Sequence, residues 1–407
     1  MNRVRVAAVG TGGIFSGAHL SNYHGFVDDC QLVALCDVNE ASAKRALARL
    51  KSNYEEAAVA TEEAGDPDKA KQIRDDADSV AIYTDHKTLI KKSGPDLVDL
   101  CTPPAFHANL AIELLDLGVN VMCEKPMAVS YLDCLEVVKA VDRTGKFYQH
   151  NENWLYDGSW YGARKAIDAG LIGEVQLMFL ATAHGGPESV GWFWNPEIAG
   201  GGSLLDNGIH ALTTSWYLAG FDRQPAKVKA ADPQGISVRM KKRIIDGRYQ
   251  DVVVEDDAHI LIQYEDKVSG AWATAHVEGS WSHRDSIDTI IIGTTGTITF
   301  TSDDGRSAIK ITDPFDNSRL VHTSGGSSFG GEIRNMVSCV REGVAPICDE
   351  HIGATSTALV GCAYLSEKRG RKAVTLAEFT RWAEKIRQKE GANASKVLVE
   401  QLLSGIS

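Results

Sequence analysis

The chain has 407 residues, of which 43% are hydrophobic and 24% are charged, and its formal net charge is -12. This length exceeds what a single hydrophobic core supports, so two domains are expected. The acidic balance argues against a nucleic-acid partner, because phosphate backbones are bound by surplus Lys and Arg, and no apolar run reaches the ~20 residues of a membrane span.

The eight cysteines form no C-x-x-C pair and show no regular spacing, and several lie in apolar runs. These features predict buried free thiols in a reducing compartment rather than disulfides or a metal site. The sequence begins with a strand-like run instead of the charged and apolar regions of a secretory signal. We therefore expect a cytoplasmic protein.

The first third of the chain alternates short apolar runs with helical patterns, as a parallel sheet with crossover helices requires. Strands are predicted at residues 4–9, 31–36, 80–83, 97–101, 119–123 and 147–150. Helices are predicted at 13–25, 40–51, 108–117 and 131–144. Residues 52–78 are rich in Glu, Asp, Lys and Ala, which predicts an inserted, solvated helical segment.

Beyond residue 150 the pattern changes to alternating apolar and polar residues, which is typical of a half-exposed antiparallel sheet. Strands are predicted at 175–184, 258–264, 270–277, 288–292 and 296–301. Helices are predicted at 158–170, 203–218, 329–342, 350–369 and 377–389. The fold class is therefore α/β followed by α+β.

A glycine-rich loop, Gly10-Thr11-Gly12-Gly13, follows the first strand and opens a helix, and Ile14 continues it. In dinucleotide-binding folds the first glycine permits a tight turn and the second lets the backbone approach a pyrophosphate at the helix N-terminus. Phe15 stands where the third small residue is expected, so the helix should lie less close to the strand there. From this loop alone, a glycine-containing turn that binds no ligand remains an alternative interpretation.

Asp37 ends the second predicted strand, where an acidic side chain can accept hydrogen bonds from adenosine ribose hydroxyls. Val38 and Asn39 offer no cation for a 2′-phosphate, which favours NAD over NADP. A helix cap at the strand end is the alternative interpretation of Asp37.

Two further segments follow predicted strands whose carboxyl ends should face the same ligand crevice. The first contains Thr102, Pro103 and His107, and the second contains Glu124 and Lys125 before Pro126. A single lysine at such a place is usually a solvated surface charge, but Glu-Lys-Pro after an apolar strand is a specific string.

With these segments in order, the sequence resembles the Gfo/Idh/MocA family, which includes glucose–fructose oxidoreductase and inositol dehydrogenase. The likeness covers nearly the whole chain and includes His19 after the glycine loop and the string from Gly200-Gly201-Gly202 through Asp206 to His210. It implies an N-terminal Rossmann domain over 1–150 and an α+β domain with a large, mostly antiparallel open sheet over 151–376. Residues 377–407 are predicted to form a helical tail.

By position in the family pattern, the catalytic candidates are Lys125, Asp206 and His210. Oxidising a secondary alcohol requires removal of the hydroxyl proton, which suits a histidine that titrates near neutrality. Asp206 and His210 are four residues apart and share a face if the segment is helical. Without the resemblance, a capping pair or a two-residue metal site would remain open; with it, we expect no metal.

The candidates for binding the cofactor, NAD, are Gly10, Gly12, Gly13, Ile14, Asp37, Thr102, Pro103, His107, Glu124 and Lys125. The substrate-binding candidates are Lys125, Asn153, His184, Trp192, Asp206 and His210. Many family members carry cations where this chain has Asn151-Glu152-Asn153, which favours a neutral polyol or glycoside over an anion. Four tryptophans between residues 154 and 194 suit sugar rings, although core packing is an equal alternative for each.

The resulting hypothesis is an NAD-dependent dehydrogenase that acts on a secondary hydroxyl of a sugar, glycoside or cyclitol, with C3 as one candidate position. One alternative is a redox-neutral glycosidase that oxidises its sugar transiently and cleaves by elimination. A non-catalytic sugar sensor is less favoured. A homo-oligomer is expected, with no nucleic-acid or membrane partner.

Overall fold

The computed structural model describes residues 3–284, 288–323 and 325–406. The chain forms two compact units that are discontinuous in sequence. The first contains Met1–Met127, Glu136–Asn153 and Ser327–His351, and the second contains Ala128–Leu135, Trp154–Gly326 and Ile352–Ser407. The boundaries predicted near 150 and 376 are continuous in sequence, whereas the contacts assign Ser327–His351 to the first unit and Ala128–Leu135 to the second.

A six-stranded parallel sheet forms the centre of the first unit, in the order β3-β2-β1-β4-β5-β6. Its strands are β1 Val4–Val9, β2 Cys30–Cys36, β3 Ala81–Tyr83, β4 Leu97–Leu100, β5 Asn120–Glu124 and β6 Tyr148–Asn151. The order reverses between β1 and β4, and the carboxyl ends of strands at such a switch point form the usual ligand crevice of an open α/β sheet. The α/β prediction for this part of the chain is confirmed.

The helices of the first part of the chain are α1 Leu20–Tyr23, α2 Glu40–Glu63, α3 Pro67–Asp78, α4 His86–Ser93, α5 His107–Asp116 and α6 Tyr131–Thr144. The segment predicted as a solvated insertion is the continuation of α2 together with α3. It is more than a solvated surface, because Tyr54, Ala58 and Ile73 are buried in the core of this unit. Asn39 and Asp66 accept backbone hydrogen bonds at the first turns of α2 and α3.

The helix predicted at 13–25 is irregular. It begins with a π-helical turn at Phe15–His19 and continues as α1. Phe15 is fully buried in the core and lies 6.5 Å from the ring of Tyr23. The side chain that breaks the glycine fingerprint is therefore a core residue, accommodated by a widened turn.

The second unit contains a ten-stranded sheet in the order β17-β16-β15-β14-β7-β13-β12-β8-β18, with β9 paired to β12. Its strands are β7 Val175–Ala183, β8 Gln224–Ala230, β9 Ile236–Ser237, β12 Asp257–Glu265, β13 Trp272–Ser280, β14 Ile290–Gly293, β15 Thr297–Asp303, β16 Arg306–Thr312, β17 Ser318–His322 and β18 Val374–Thr375. A separate hairpin is formed by β10 Lys242–Ile245 and β11 Arg248–Asp251. The sheet is mostly antiparallel, as predicted, but β7 and β13 pair in parallel.

The remaining helices are α7 Gly158–Asp168, α8 Pro196–Ala199, α9 Ile209–Ala219, α10 Ser328–Glu342, α11 Glu350–Lys368, α12 Leu376–Glu390 and α13 Ala394–Leu403. Burial alternates along β7 and β12, so one face of the sheet faces the core of the unit and the other is half-exposed. No helix among residues 3–284, 288–323 and 325–406 has the length and apolar character needed to cross a membrane. All eight cysteines are buried and unbridged, as the sequence predicts.

Candidate active site

The turn after β1 is built around Gly10. Its φ is +86°, and a Cβ on this residue would lie 2.7 Å from the backbone carbon and oxygen of Cys101. Its N–H donates to the carbonyl of Cys36 at 2.9 Å. Glycine is thus required at position 10 because the ends of three strands pack together there, whether or not a ligand binds.

Gly12 and Gly13 differ from Gly10, because a Cβ on either would meet no other atom within 4 Å. Protein packing therefore does not explain why these positions lack side chains. They stand at the N-terminal side of the turn that begins at Phe15, where backbone N–H groups favour anions. This open space is what a pyrophosphate needs to approach the backbone closely.

A cavity of about 440 Å³ opens beside this loop, within the range of small-molecule sites. Its lining includes the predicted residues Gly10, Gly12, Asp37, Thr102 and Pro103. It also includes Val38, considered above only as a residue without a cation, and residues that were not predicted for the site: Thr84, His86, Phe106, Asn109 and Leu110. The available signal was their position just after strands or at the starts of α4 and α5, but their types carry no nucleotide signature.

Asp37 connects the glycine loop to the start of α2. One carboxylate oxygen accepts from the backbone N–H and the hydroxyl of Thr11, at 2.9 and 3.0 Å, and the other accepts from the N–H of Asn39 at 2.9 Å. The helix-cap interpretation of Asp37 is wrong, because Asn39 caps α2; the Asp37 carboxylate instead joins the turn at Thr11 to the turn at Asn39 and lines the cavity.

His107 does not line the cavity. The ring is buried, and its two nitrogens lie 2.6 Å from the carbonyl oxygen of Thr102 and 2.7 Å from that of Pro126. Burial lowers the pKa of this imidazole. His107 therefore connects the Thr102–Pro103 segment to the segment that carries Lys125, which is a supporting position.

A buried polar cluster surrounds His19, a residue known from the sequence only as part of the family pattern. Its Nδ1 lies 3.0 Å from Asp99, and its Nε2 lies 2.9 Å from Glu124 and 3.5 Å from Glu332. Burial alone would lower the pKa of His19, but the charge and hydrogen bond of Asp99, together with the contacts of Cys101, outweigh burial and hold that pKa well above its usual range. Burial and the charge of Glu124 raise the pKa of Glu332.

This arrangement assigns Glu124 an internal partner. Its carboxylate is nearly buried and accepts from a histidine held in the charged form. Glu124 thus anchors the end of β5 immediately before Lys125. Ile14, by contrast, is exposed directly after Gly13 and does not line the cavity.

In the second unit, Asp206 lies in a π-helical turn at Leu204–Gly208, and His210 lies in the first turn of α9. The prediction of a regular helix is therefore corrected: the turn that carries Asp206 is wider than an α-helical turn. The ring of His210 stacks on Trp154, with centroids 5.6 Å apart and planes 13° apart. Trp154 in turn stacks on Trp160 at 5.0 Å. Two of the four clustered tryptophans thus orient the candidate catalytic histidine.

The remaining substrate candidates lie in well-defined local settings. Asn153, in the first unit, donates to the hydroxyl of Ser328 at 2.8 Å. His184, at the end of β7, accepts at Nδ1 from the N–H of Gly186 at 3.1 Å, which assigns the ring proton to Nε2. Trp192 is half-buried and stacks on Phe193, with centroids 3.8 Å apart.

Comparison with known proteins identifies both parts of the chain. Residues 4–152 match the family model described as "Oxidoreductase family, NAD-binding Rossmann fold" (GFO_IDH_MocA), and residues 160–299 match the GFO/IDH/MocA C-terminal domain. The chain belongs to the Gfo/Idh/MocA family of oxidoreductases. Its first unit is an NAD-binding Rossmann domain, and the open space at Gly12 and Gly13 fits that cofactor.

Curated relatives include sugar and cyclitol dehydrogenases. The chain is 28% identical over 222 residues to a D-glucoside 3-dehydrogenase of Escherichia coli (strain K12), covering 54% of each chain. It is 33% identical over 161 residues to a 2,7-anhydro-N-acetylneuraminate hydratase of Mediterraneibacter gnavus, covering 38% of this chain and 41% of that one. It is 30% identical over 176 residues to inositol 2-dehydrogenase 1 of Saccharopolyspora erythraea, covering 43% and 44%. The chain thus spans about half the length of these relatives or less.

Solved structures share the fold over most of the chain. An aldose-aldose oxidoreductase from Caulobacter crescentus superposes with a TM-score of 0.70 at 20% identity, covering 92% of this chain and 100% of the other. A levoglucosan dehydrogenase in complex with NADH superposes with a TM-score of 0.73 at 18% identity, covering 92% and 99%.

Proposed function

We propose that this protein oxidises one secondary hydroxyl of a sugar, glycoside or cyclitol, with NAD as the hydride acceptor. The observation that carries the proposal is the cavity lined by Gly12 and Asp37, together with the open space at Gly12 and Gly13, where protein packing does not require a glycine. The relatives named for glucoside and inositol oxidation support the substrate class. The C3 position is proposed by analogy with the first of them.

His210 is proposed to remove the hydroxyl proton, and its stacking on Trp154 restricts the plane of the ring. Asp206 orients that imidazole from the preceding turn. Lys125 holds the hydroxyl oxygen and stabilises the negative charge that develops on it. Bound NAD supplies the acceptor for the hydride that leaves the same carbon. Asn153, His184 and Trp192 are proposed to contact the substrate.

We propose a preference for NAD over NADP. Asp37 lines the cavity with a carboxylate that would repel a 2′-phosphate, and no lysine or arginine is found among the described residues of the lining. The preference should appear as a kcat/KM at least about tenfold higher with NAD. Tenfold tighter binding of NADP, measured by fluorescence titration, would contradict it.

The reaction is tested by following NADH formation with a panel of monosaccharides, glycosides and inositols. His210→Ala and Lys125→Ala should each lower kcat by about 10²- to 10⁴-fold, the usual loss when a proton-transfer or charge-stabilising group is removed. Arg248→Ala, an exposed change on β11, is the control. Wild-type turnover in both active-site variants would refute the mechanism.

A redox-neutral reaction is the second candidate, because one relative is named a hydratase, and adding water involves no net oxidation. Glycoside cleavage without net NADH in the same panel would identify it. Sugar binding without either product would identify a sensor.

Two predictions concern the protein in the cell, a homo-oligomer and a cytoplasmic location. The half-exposed face of the large sheet, which carries Leu177, Phe179 and Leu261, supports the first. The buried, unbridged cysteines agree with the second. Light scattering after size-exclusion chromatography tests the oligomer.

A further inference from the structure

Three consecutive acidic residues, Glu255-Asp256-Asp257, precede and begin β12 and were not used in the sequence analysis. The side chains of Glu255 and Asp256 are fully buried. Burying two adjacent carboxylates is unfavourable unless each is extensively hydrogen-bonded. Each is, and the two point to different parts of the second unit.

Glu255 binds the start of the segment that carries Asp206. The N–H of Gly202 donates to both of its carboxylate oxygens, at 3.0 and 3.1 Å, and the N–H of Leu204 donates to one of them at 3.1 Å. The intervening N–H of Ser203 donates to the backbone carbonyl of Glu255 at 2.9 Å. Three successive backbone N–H groups, those of residues 202–204 at the start of the π-helical turn, therefore all donate to Glu255.

Ser203 cannot provide this cap itself. Its hydroxyl donates to the carbonyl of Gly279 at 2.9 Å instead of turning back to the helix. Tyr364, on α11, donates its hydroxyl to Glu255 at 2.7 Å and so fixes the carboxylate from the other side. Burial raises the pKa of Glu255 to about 7.

Asp256 points to the hairpin instead. It accepts from the backbone N–H groups of Arg239 and Met240 at 2.6 and 3.1 Å, and from Nη2 of Arg243 at 2.9 Å. The same Nη2 donates to the carbonyl of Trp281 at 2.9 Å. The guanidinium of Arg243 is thereby fixed at the start of β10.

The second terminal nitrogen of this guanidinium, Nη1, contacts the loop of residues 184–194, which carries His184 and Trp192. Nη1 of Arg243 donates to the carbonyl of Gly185 at 3.2 Å and to the carboxylate of Glu188. A Cβ on Gly186 would lie 2.8 Å from Nη1, so this loop is closely fitted to the arginine. The guanidinium also lies over the ring of Trp194, 5.1 Å from its centroid.

We propose that Glu255 and Asp256 are positioning residues with separate tasks: Glu255 holds the segment of Asp206 and His210, and Asp256, through Arg243, holds the loop of His184 and Trp192. The roles of those four residues rest on the proposed function. The first task affects the chemical step and the second affects substrate binding, so the two should separate into kcat and KM.

The first arm of the test uses Glu255→Gln, which places an amide where two acceptor oxygens are needed. At about pH 9, where the wild-type carboxylate is ionised, kcat should fall by about 10- to 100-fold with little change in KM. Tyr364→Phe removes only one hydrogen bond and should give a smaller loss in the same direction, which keeps the test decisive if Glu255→Gln folds poorly. Glu265→Gln, at the far end of β12, is the control.

The second arm uses Arg243→Lys and Asp256→Asn. Lysine keeps the charge but loses the fork that joins Asp256 to Gly185, so KM for the sugar should rise by about 5- to 20-fold with kcat nearly unchanged. Arg248→Lys, on the same hairpin but exposed, is the control. A loss of kcat alone in this arm, or a rise in KM alone in the first, would overturn the assignment.

Hydrogen exchange measured without substrate distinguishes this proposal from the proposed function. Glu255→Gln should increase exchange in a peptide covering 200–206 and leave 184–194 unchanged, and Arg243→Lys should do the reverse. Unchanged protection in both variants would refute the positioning roles whatever the enzyme oxidises. If the wild-type protein oxidised no member of the panel, the proposed function would be refuted, but the exchange results would still support the positioning roles.

Discussion

The molecule contains two glycine-rich segments, and they differ in what occupies the space beside them. In the first, a Cβ on Gly12 or Gly13 would meet no other atom within 4 Å. In the second, a Cβ on Gly202 would lie 1.9 Å from the carbonyl oxygen of Glu255, and one on Gly201 would lie 2.4 Å from the hydroxyl of Tyr364. The space beside Gly12 and Gly13 is open to a ligand, whereas the space beside Gly201 and Gly202 is filled by other residues of the protein.

The comparison shows that the same residue type serves two purposes that sequence alone does not separate. A glycine beside empty space can be replaced by a residue with a side chain without loss of stability, but ligand affinity falls. A glycine packed against a buried carboxylate or against backbone cannot be replaced without destabilising the fold. Gly10 belongs with the second kind although it stands in the first segment, because it contacts Cys101.

The largest effect is expected from Gly202→Ala. The new methyl group would overlap the backbone of Glu255, which cannot move away as a flexible side chain could. We expect a loss of about 3–5 kcal/mol in the free energy of unfolding, measured by chemical denaturation. Gly25→Ala, where no atom lies within 4 Å, should change stability by less than about 1 kcal/mol. Equal stability of the two variants would mean that the second segment is not closely packed.

The next effect is a pH dependence of stability that arises from Glu255. Its pKa in the folded protein is about 7, raised by burial from 4.5, so folding favours the protonated form. The associated stabilisation is complete below about pH 4.5 and is lost as the pH rises through about 7, a change of at most ~3 kcal/mol. Denaturation across this range should show the free energy of unfolding of wild type falling by that amount relative to Glu255→Gln, which has no carboxyl to titrate. Parallel profiles would contradict the raised pKa of this buried carboxylate.

The smallest effect is expected from Gly12→Ala. Its methyl group has room in the protein, so the free energy of unfolding should stay within about 0.5 kcal/mol of wild type. The same methyl group would occupy the approach to the backbone, so the Kd for NAD should rise about 10- to 30-fold. Fluorescence titration with NADH checks this. Unaltered affinity would show that the open space at Gly12 is not where the cofactor binds.

Much of the fold could be predicted from the sequence, because hydrophobic periodicity and strand-end glycines depend on near neighbours in the chain. The strand at Val4–Val9 and the helix at Tyr131–Thr144 were predicted with the observed bounds. The segment 52–78 was misjudged as solvated, since its buried residues Tyr54, Ala58 and Ile73 are spaced among many charges. The π-helical turns at Phe15 and Leu204 were missed because a wider turn depends on tertiary packing and has no signature in the local sequence.

The sequence by itself determined the family, the parallel sheet and the order of the motifs, since these follow from local residue patterns. Tertiary structure alone decided which polar residues face the cavity and which support it. His107 and Glu124 belong to the supporting set, held by Thr102, Pro126 and His19. The role of Glu255 could not be predicted, because its partners Gly202 and Tyr364 are 53 and 109 residues away along the chain. Contacts at such separations follow from how elements pack, which residue types and spacing do not specify.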